Sequence, residues 1–154
     1  MESSTIQEAR RLIELHGNVV NFGTFENAVN EEWIVKGEQA LGLTFTSSYR
    51  WFLRNYVGGE IGGEEIYSIY GMDFQTVNGG DMVFQHLANQ TNGLQEPNKL
   101  VVSETDFGEV FYFDYAAFDK EECPIHLRLP SGSHVEYAED FYEFLKRRIE
   151  AHVR

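Results

Sequence analysis

The residues from 41 to 59 constrain the fold more than any other part of the chain, because they contain a complete helix with a start and a stop. Thr46 or one of the next two serines can accept a hydrogen bond from an unpaired backbone N–H at the helix start. Apolar side chains then recur with a period of about 3.6 residues, which places them on one helix face: Tyr49, Phe52, Leu53 and Tyr56. Glycine adopts the left-handed C-cap conformation without steric cost, so the sequence predicts that the helix ends at Gly58-Gly59.

Apolar periodicity elsewhere predicts further helices with strands between them. The predicted helices are a short one that ends at Gly17, one from an Asn30 cap through Leu41, one over Met82–Thr91, and a terminal one with Phe141, Leu145 and Ile149 on one face. The predicted strands are a hairpin or two short strands after Gly62-Gly63, then Leu100–Val102, Val110–Tyr115, Ile125–Leu129 and Val135–Ala138. No regular element is predicted between residues 18 and 30. This order predicts an α+β fold: N-terminal helices, a central antiparallel β-sheet meander and a C-terminal helix packed on the sheet.

Length and composition predict a single globular domain over residues 1–154. Hydrophobic residues make up 42% of the chain, which is enough apolar area to form a core. The start of the chain is polar and unlike a signal peptide, and no run approaches the roughly 18–20 apolar residues that span a bilayer. A single cysteine, Cys123, cannot form an internal disulfide and suits a reducing compartment. We therefore expect a cytoplasmic protein.

Acidic residues outnumber basic ones by 25 to 12, which gives a net charge of −13. The stretch Glu60–Glu122 contains 13 acids and only Lys99 and Lys120 as bases, so it carries −11 of that charge. Such a field repels nucleic acid and anionic membranes, and it speeds encounter with a basic partner at low salt. The alternative is that the acidic surface only keeps the protein soluble.

The sequence contains no complete catalytic or metal-binding motif. The glycine-rich loop 58–63 offers Glu60 where a phosphate loop needs a lysine, so a turn is the better interpretation. Asp114, His126 and His134 could converge in space as a metal or acid–base site, which leaves that alternative open. We expect no catalytic residue and no cofactor.

Three segments together form a recognisable pattern. They are the helix with its Gly58-Gly59 turn, the Gly108-Glu109 step before the strand that reaches Asp114, and the closing stretch Phe141–Leu145. In this order they resemble the SUKH superfamily, a group of bacterial immunity proteins that also contains the fungal Smi/Knr cell-wall regulators. The resemblance covers about residues 30–150. It implies the same α+β fold, with a structural motif made of Gly58, Gly59, Gly108 and Asp114.

The resemblance also implies a cytosolic immunity protein that binds a cognate toxin, often a nuclease, and blocks it stoichiometrically. We expect the binding surface in the acidic, tyrosine-containing region 60–81, through Glu60, Glu64, Glu65, Tyr67, Tyr70, Asp73 and Asp81. No nucleic-acid or membrane contact is expected, and the oligomeric state is expected to be a monomer or a weak homodimer. Two alternatives stay open: a regulatory scaffold of cell-wall or stress pathways, and a hydrolase that uses Asp114 and the histidines.

Overall fold

The computed structural model describes residues 4–23, 26, 28–56, 58–71, 73–74, 80–93 and 96–153. Within them the helices are α1 (Ser4–Leu15), α2 (Glu31–Leu41), α3 (Ser47–Asn55), α4 (Met82–Thr91) and α5 (Phe141–His152). The strands are β1 (Val20–Phe22), β2 (Gly59–Ile61), β3 (Glu64–Ile66), β4 (Lys99–Glu104), β5 (Val110–Asp114), β6 (Ile125–Arg128) and β7 (His134–Ala138). The predicted α+β class is confirmed.

Side-chain caps determine where the central helices begin. Asn30 caps α2 by accepting a hydrogen bond from the Trp33 N–H at 3.2 Å, as its sequence position predicts. Thr46 does the same for α3, accepting from the Tyr49 N–H at 3.1 Å. Asp140 caps α5 in the same way. Each cap satisfies a backbone donor that would otherwise lack a partner inside the fold.

The predicted glycine stop of α3 is wrong. The helix ends at Asn55, and its C-cap, Tyr56, has an extended backbone with φ −140°. Neither Gly58 nor Gly59 has a positive φ. Their small size serves close packing instead, because a methyl group at Gly59 would overlap the carbonyl oxygen of Asn21 on the neighbouring strand β1.

The strands form two antiparallel sheets rather than one. β4, β5, β6 and β7 form a four-stranded meander in chain order, which confirms the predicted meander. The second sheet has the order β1-β2-β3, and its strand β1 lies in the segment for which no element was predicted. Gly62 and Gly63 form the β2–β3 turn with φ +60° and +84°, values that favour glycine in a two-residue hairpin turn.

The core lies between the four-stranded sheet and the helices α3 and α5. Tyr49 of α3 is fully buried and meets the rings of Phe45, Phe113 and Phe141 with centroid distances of 5.1–5.3 Å. Its hydroxyl donates to the Tyr67 carbonyl oxygen at 2.7 Å, just after β3. One side chain therefore joins α3, β5, α5 and the end of the hairpin, which fixes the hairpin relative to the core.

The close contact at Gly59 generates a test. Gly59→Ala should lower the free energy of unfolding by about 1–3 kcal/mol, because β1 must move away from β2 to accommodate the methyl group. Urea unfolding followed by circular dichroism measures the change. Gly17→Ala is the matched control, since a methyl group there meets nothing within 4 Å. Equal stability of the two variants would contradict the close-packing role of Gly59.

Candidate interaction surface

The hairpin β2–β3 separates its residues onto two faces by strand alternation. Ile61 and Ile66 are almost completely buried, whereas Glu60 and Glu65 are exposed on the opposite face. The register places Glu60 directly opposite Glu65. Two like charges at such a pair destabilise a hairpin, so this arrangement does not serve stability.

A third carboxylate joins this pair from the other sheet. The Ser103 hydroxyl of β4 donates to the Glu65 carbonyl oxygen at 2.7 Å, and the Tyr67 N–H donates to the Val102 carbonyl oxygen at 2.8 Å. These contacts bring Glu104, also exposed, beside the hairpin, with its Oε2 3.4 Å from the Tyr67 hydroxyl. We call Glu60, Glu65 and Glu104 the acidic face.

The acidic face helps to raise the pKa of two neighbouring tyrosine hydroxyls. Burial, followed by the charges of Glu104 and Glu65, raises the pKa of the Tyr67 hydroxyl. Burial and the charge of Glu65 also raise the pKa of Tyr70, which is half-buried. Both phenols are therefore neutral hydrogen-bond donors next to carboxylates at physiological pH. In the described residues no lysine or arginine forms an ion pair with any of the three carboxylates.

An exposed aromatic ring follows the acidic face in the chain. Phe107, in the turn between β4 and β5, is 78% exposed. The Thr105 hydroxyl accepts hydrogen bonds from the Phe107 and Glu109 N–H groups, both at 3.3 Å, and Gly108 takes φ +84°. A hydrogen-bonded turn thus exposes a large apolar side chain three residues after Glu104, a combination typical of protein-binding surfaces.

Three of the residues expected on the partner-binding surface make internal contacts instead. Asp81 is fully buried, because its carboxylate caps α4 by accepting from the Phe84 N–H and also accepts from the Tyr70 N–H, each at 3.0 Å. Tyr67 is only 7% exposed, since its ring packs into the core. Glu64 lies on the opposite face of the hairpin from Glu65, where it forms an ion pair with Arg148 of α5 and contacts His152 Nε2 at 3.2 Å.

The remaining expected residues fit a surface more closely. Glu60, Glu65 and Asp73 are exposed, and Tyr70 is half-buried. Residues 72 and 75–79, within the range expected for this surface, lie outside the described residues. Sequence reasoning missed Glu104, because the contact between β3 and β4 that brings it to the hairpin leaves no local pattern.

The alternative site at Asp114 and the histidines does not assemble as a metal centre. The Asp114 carboxylate accepts from the Ala116 N–H at 3.2 Å and lies 3.6 Å from His126 Nε2. His134 contacts the Tyr112 hydroxyl instead, at 2.7 Å. Among the residues that the structure describes, no group of three or more His, Cys, Asp or Glu side chains could hold a metal ion. Asp114 caps a short 3₁₀ turn through this bond to Ala116.

Comparison with known proteins identifies the family. The model described as SMI1-KNR4 cell-wall (SUKH_6) matches residues 31–145. The chain belongs to this family. The match begins at the first residue of α2 and ends inside α5, so it contains the hairpin, the acidic face and the four-stranded sheet of this SUKH protein. A comparison with curated proteins gave no match.

Over the part of the chain that the structure describes, no helix is both long enough and apolar enough to cross a bilayer.

The like-charged pair on the hairpin generates a second test. Glu60→Gln should raise the free energy of unfolding by about 0.2–1 kcal/mol, because it removes the repulsion from Glu65 across the hairpin. The gain should shrink with added salt, which screens exposed charges. Urea unfolding at low and high salt measures both effects.

Glu121→Gln provides the control, since it removes one negative charge from an exposed loop position between β5 and β6. A loss of stability in Glu60→Gln, or an equal gain in the control, would show that the pair is not locally repulsive.

Proposed function

We propose that this SUKH protein is an immunity protein that neutralises a cognate toxin by binding it stoichiometrically. The partner is a toxin domain with a basic surface, of the nuclease type, and the protein acts without turnover or cofactor. The observation that carries the proposal is the acidic face, where three exposed carboxylates lie together without a basic partner in the described residues. Membership of the family supports the same function.

The electrostatic cost of the acidic face supports a role in binding. Several other glutamates in the described chain pair with nearby cations, as Glu31 does with Arg54 at 2.8 Å and Glu38 with Arg50. Glu60 and Glu65 instead face one another. A basic partner would turn this repulsion into attraction, so the pair contributes favourably only in a complex.

The proposed mechanism is occlusion of a basic groove. A nuclease must hold a phosphate backbone with lysine and arginine side chains, which are the groups that carboxylates bind. The acidic face would occupy those cations, while the hydroxyls of Tyr67 and Tyr70 donate to Glu104 and Glu65 and so hold these carboxylates in place. Phe107 adds an apolar contact at the edge. Substrate and immunity protein would then compete for one surface.

Charge reversal tests the proposal. The Glu60→Lys/Glu65→Lys double variant should bind the cognate toxin domain with an association rate lowered about tenfold at low salt, because steering by the acidic face is reversed. Surface plasmon resonance at several salt concentrations measures the rates. Growth of cells that co-express the toxin and the variant measures rescue.

The matched control is Glu121→Lys/Glu139→Lys, which makes the same change in net charge. Both positions are exposed and lie near the start of α5, where Ser48 contacts Glu122 and the Phe141 N–H. The hairpin contacts the other end of α5, about 18 Å away along its axis. An equal loss of binding in both variants would show that net charge, and not the position of the acidic face, determines the association rate. Failure of the wild type to bind or rescue would overturn the immunity function.

A second candidate function follows from the description of the family, which names the cell wall. A regulatory scaffold would bind cellular partners in the absence of any toxin. It predicts that a deletion strain has altered sensitivity to cell-wall stress and that Glu60→Lys/Glu65→Lys reproduces the deletion. Toxin rescue without such a phenotype separates immunity from this alternative.

A further inference from the structure

Strand β7 is the outer edge of the four-stranded sheet. Among the described residues it pairs with β6 on one side, and no strand pairs with its other side. His134, Val135 and Glu136 are all exposed, with Val135 at 44%. An exposed edge strand with an apolar residue is a template for pairing with another strand, unless it is covered.

The turn before β7 determines which backbone groups face outward. Residues 129–133 form a turn in which the Leu129 N–H donates to the Ser133 carbonyl oxygen and the Gly132 N–H donates to the Leu129 carbonyl oxygen, both at 2.8 Å. Hydrogen-bonded pairs alternate along an antiparallel ladder, so Leu127 and Val135 exchange bonds within the sheet. The N–H and C=O groups of His134 and Glu136 therefore point away from β6.

We propose that β7 binds β7 of a second copy of this chain in antiparallel register, with Val135 opposite Val135 of the second copy. The outward-facing residues then pair correctly: His134 lies opposite Glu136 of the second copy, and Glu136 lies opposite His134 of the second copy. These two pairs exchange four backbone hydrogen bonds. The two sheets join into one sheet of eight strands around a two-fold axis.

Side-chain charge selects this register. His134 Nδ1 lies 2.7 Å from the Tyr112 hydroxyl, and when that hydroxyl donates, Nε2 carries the hydrogen and can donate to the Glu136 carboxylate of the second copy. A two-fold axis at Glu136 would place two glutamates opposite each other, which is unfavourable. An axis at His134 would separate His134 from Glu136 of the second copy and lose that hydrogen bond. The axis at Val135 also brings two exposed apolar side chains together.

Net charge gives the dimer a salt dependence opposite to that of the proposed toxin complex. Each copy carries −13, so the two copies repel one another at long range. Salt screens this repulsion, and the dimer should therefore strengthen with salt, whereas the complex with a basic toxin should weaken. The two associations are separable in one salt titration.

A symmetric cysteine tests the register directly. In Val135→Cys the two Cα atoms would lie about 4.5 Å apart, at the short end of the range for a disulfide. Mild oxidation of the purified protein should give a covalent dimer on a non-reducing gel. Ser133→Cys is the control, since its two copies would lie about 13 Å apart in this register. The native Cys123 is 3% exposed and should not interfere.

Charge variants provide the non-covalent test by sedimentation equilibrium. Glu136→Lys should weaken self-association about tenfold, because in both pairs it replaces the carboxylate that accepts from His134 with a side chain that can only donate. The double variant His134→Glu/Glu136→Lys should restore it, since the pairs are again complementary. Equal cross-linking of the two cysteine variants, or none, would overturn the proposal. The proposal would also be overturned if the protein stayed monomeric at every protein and salt concentration.

Discussion

The buried contact between Arg148 and Glu64 holds the hairpin on the molecule. Arg148 of α5 is 9% exposed, its guanidinium lies 4.8 Å from the Phe111 ring centroid, and it forms an ion pair with Glu64 on β3. His152 contacts the same carboxylate at 3.2 Å. A buried ion pair with several contacts fixes orientation strongly, since loss of either partner leaves the other charge uncompensated. Because Glu64 faces inward, the next residue along the strand, Glu65, must face outward.

This constraint explains how one short hairpin is bound to the core on one face and exposes the acidic face on the other. The inner face carries Ile61, Ile66 and the paired Glu64, and it is bound to the core. The outer face carries Glu60 and Glu65, whose repulsion the inner face must offset. The β2–β3 hairpin thus contains both the residues that bind it to the core and two of the exposed acids. A protein that needed acidity only for solubility could spread the same charges without placing two opposite each other.

Local patterns predicted most of the fold. The Asn30 and Thr46 caps, the helix over Met82–Thr91 and the meander were visible because each depends on neighbouring residues. The end of α3 was not predicted correctly, because glycine occurs both in left-handed turns and at close contacts between backbones. Only the position of the Asn21 carbonyl shows that Gly59 belongs to the second kind. Strand β1 was not predicted, because it is only three residues long and pairs with residues about 40 positions further along the chain.

The candidate surface was predicted only in part for a related reason. A count of acids and tyrosines located the hairpin, but strand alternation decides that Glu65 is exposed and Glu64 is paired. Asp81 has a sequence context that fits a helix cap equally well, and capping is its role here. Glu104 reaches the surface only through contacts between β3 and β4. Long-range register therefore determines which acids lie together on the surface.

Hydrogen exchange on the toxin complex tests the central claim most directly, namely that the acidic face is the binding surface. The measurement compares free and toxin-bound protein by mass spectrometry at a concentration too low for self-association. We expect slower exchange in peptides that cover residues 58–71 and 103–109, with no change at the start of α5. Protection confined to other parts of the chain would contradict the account.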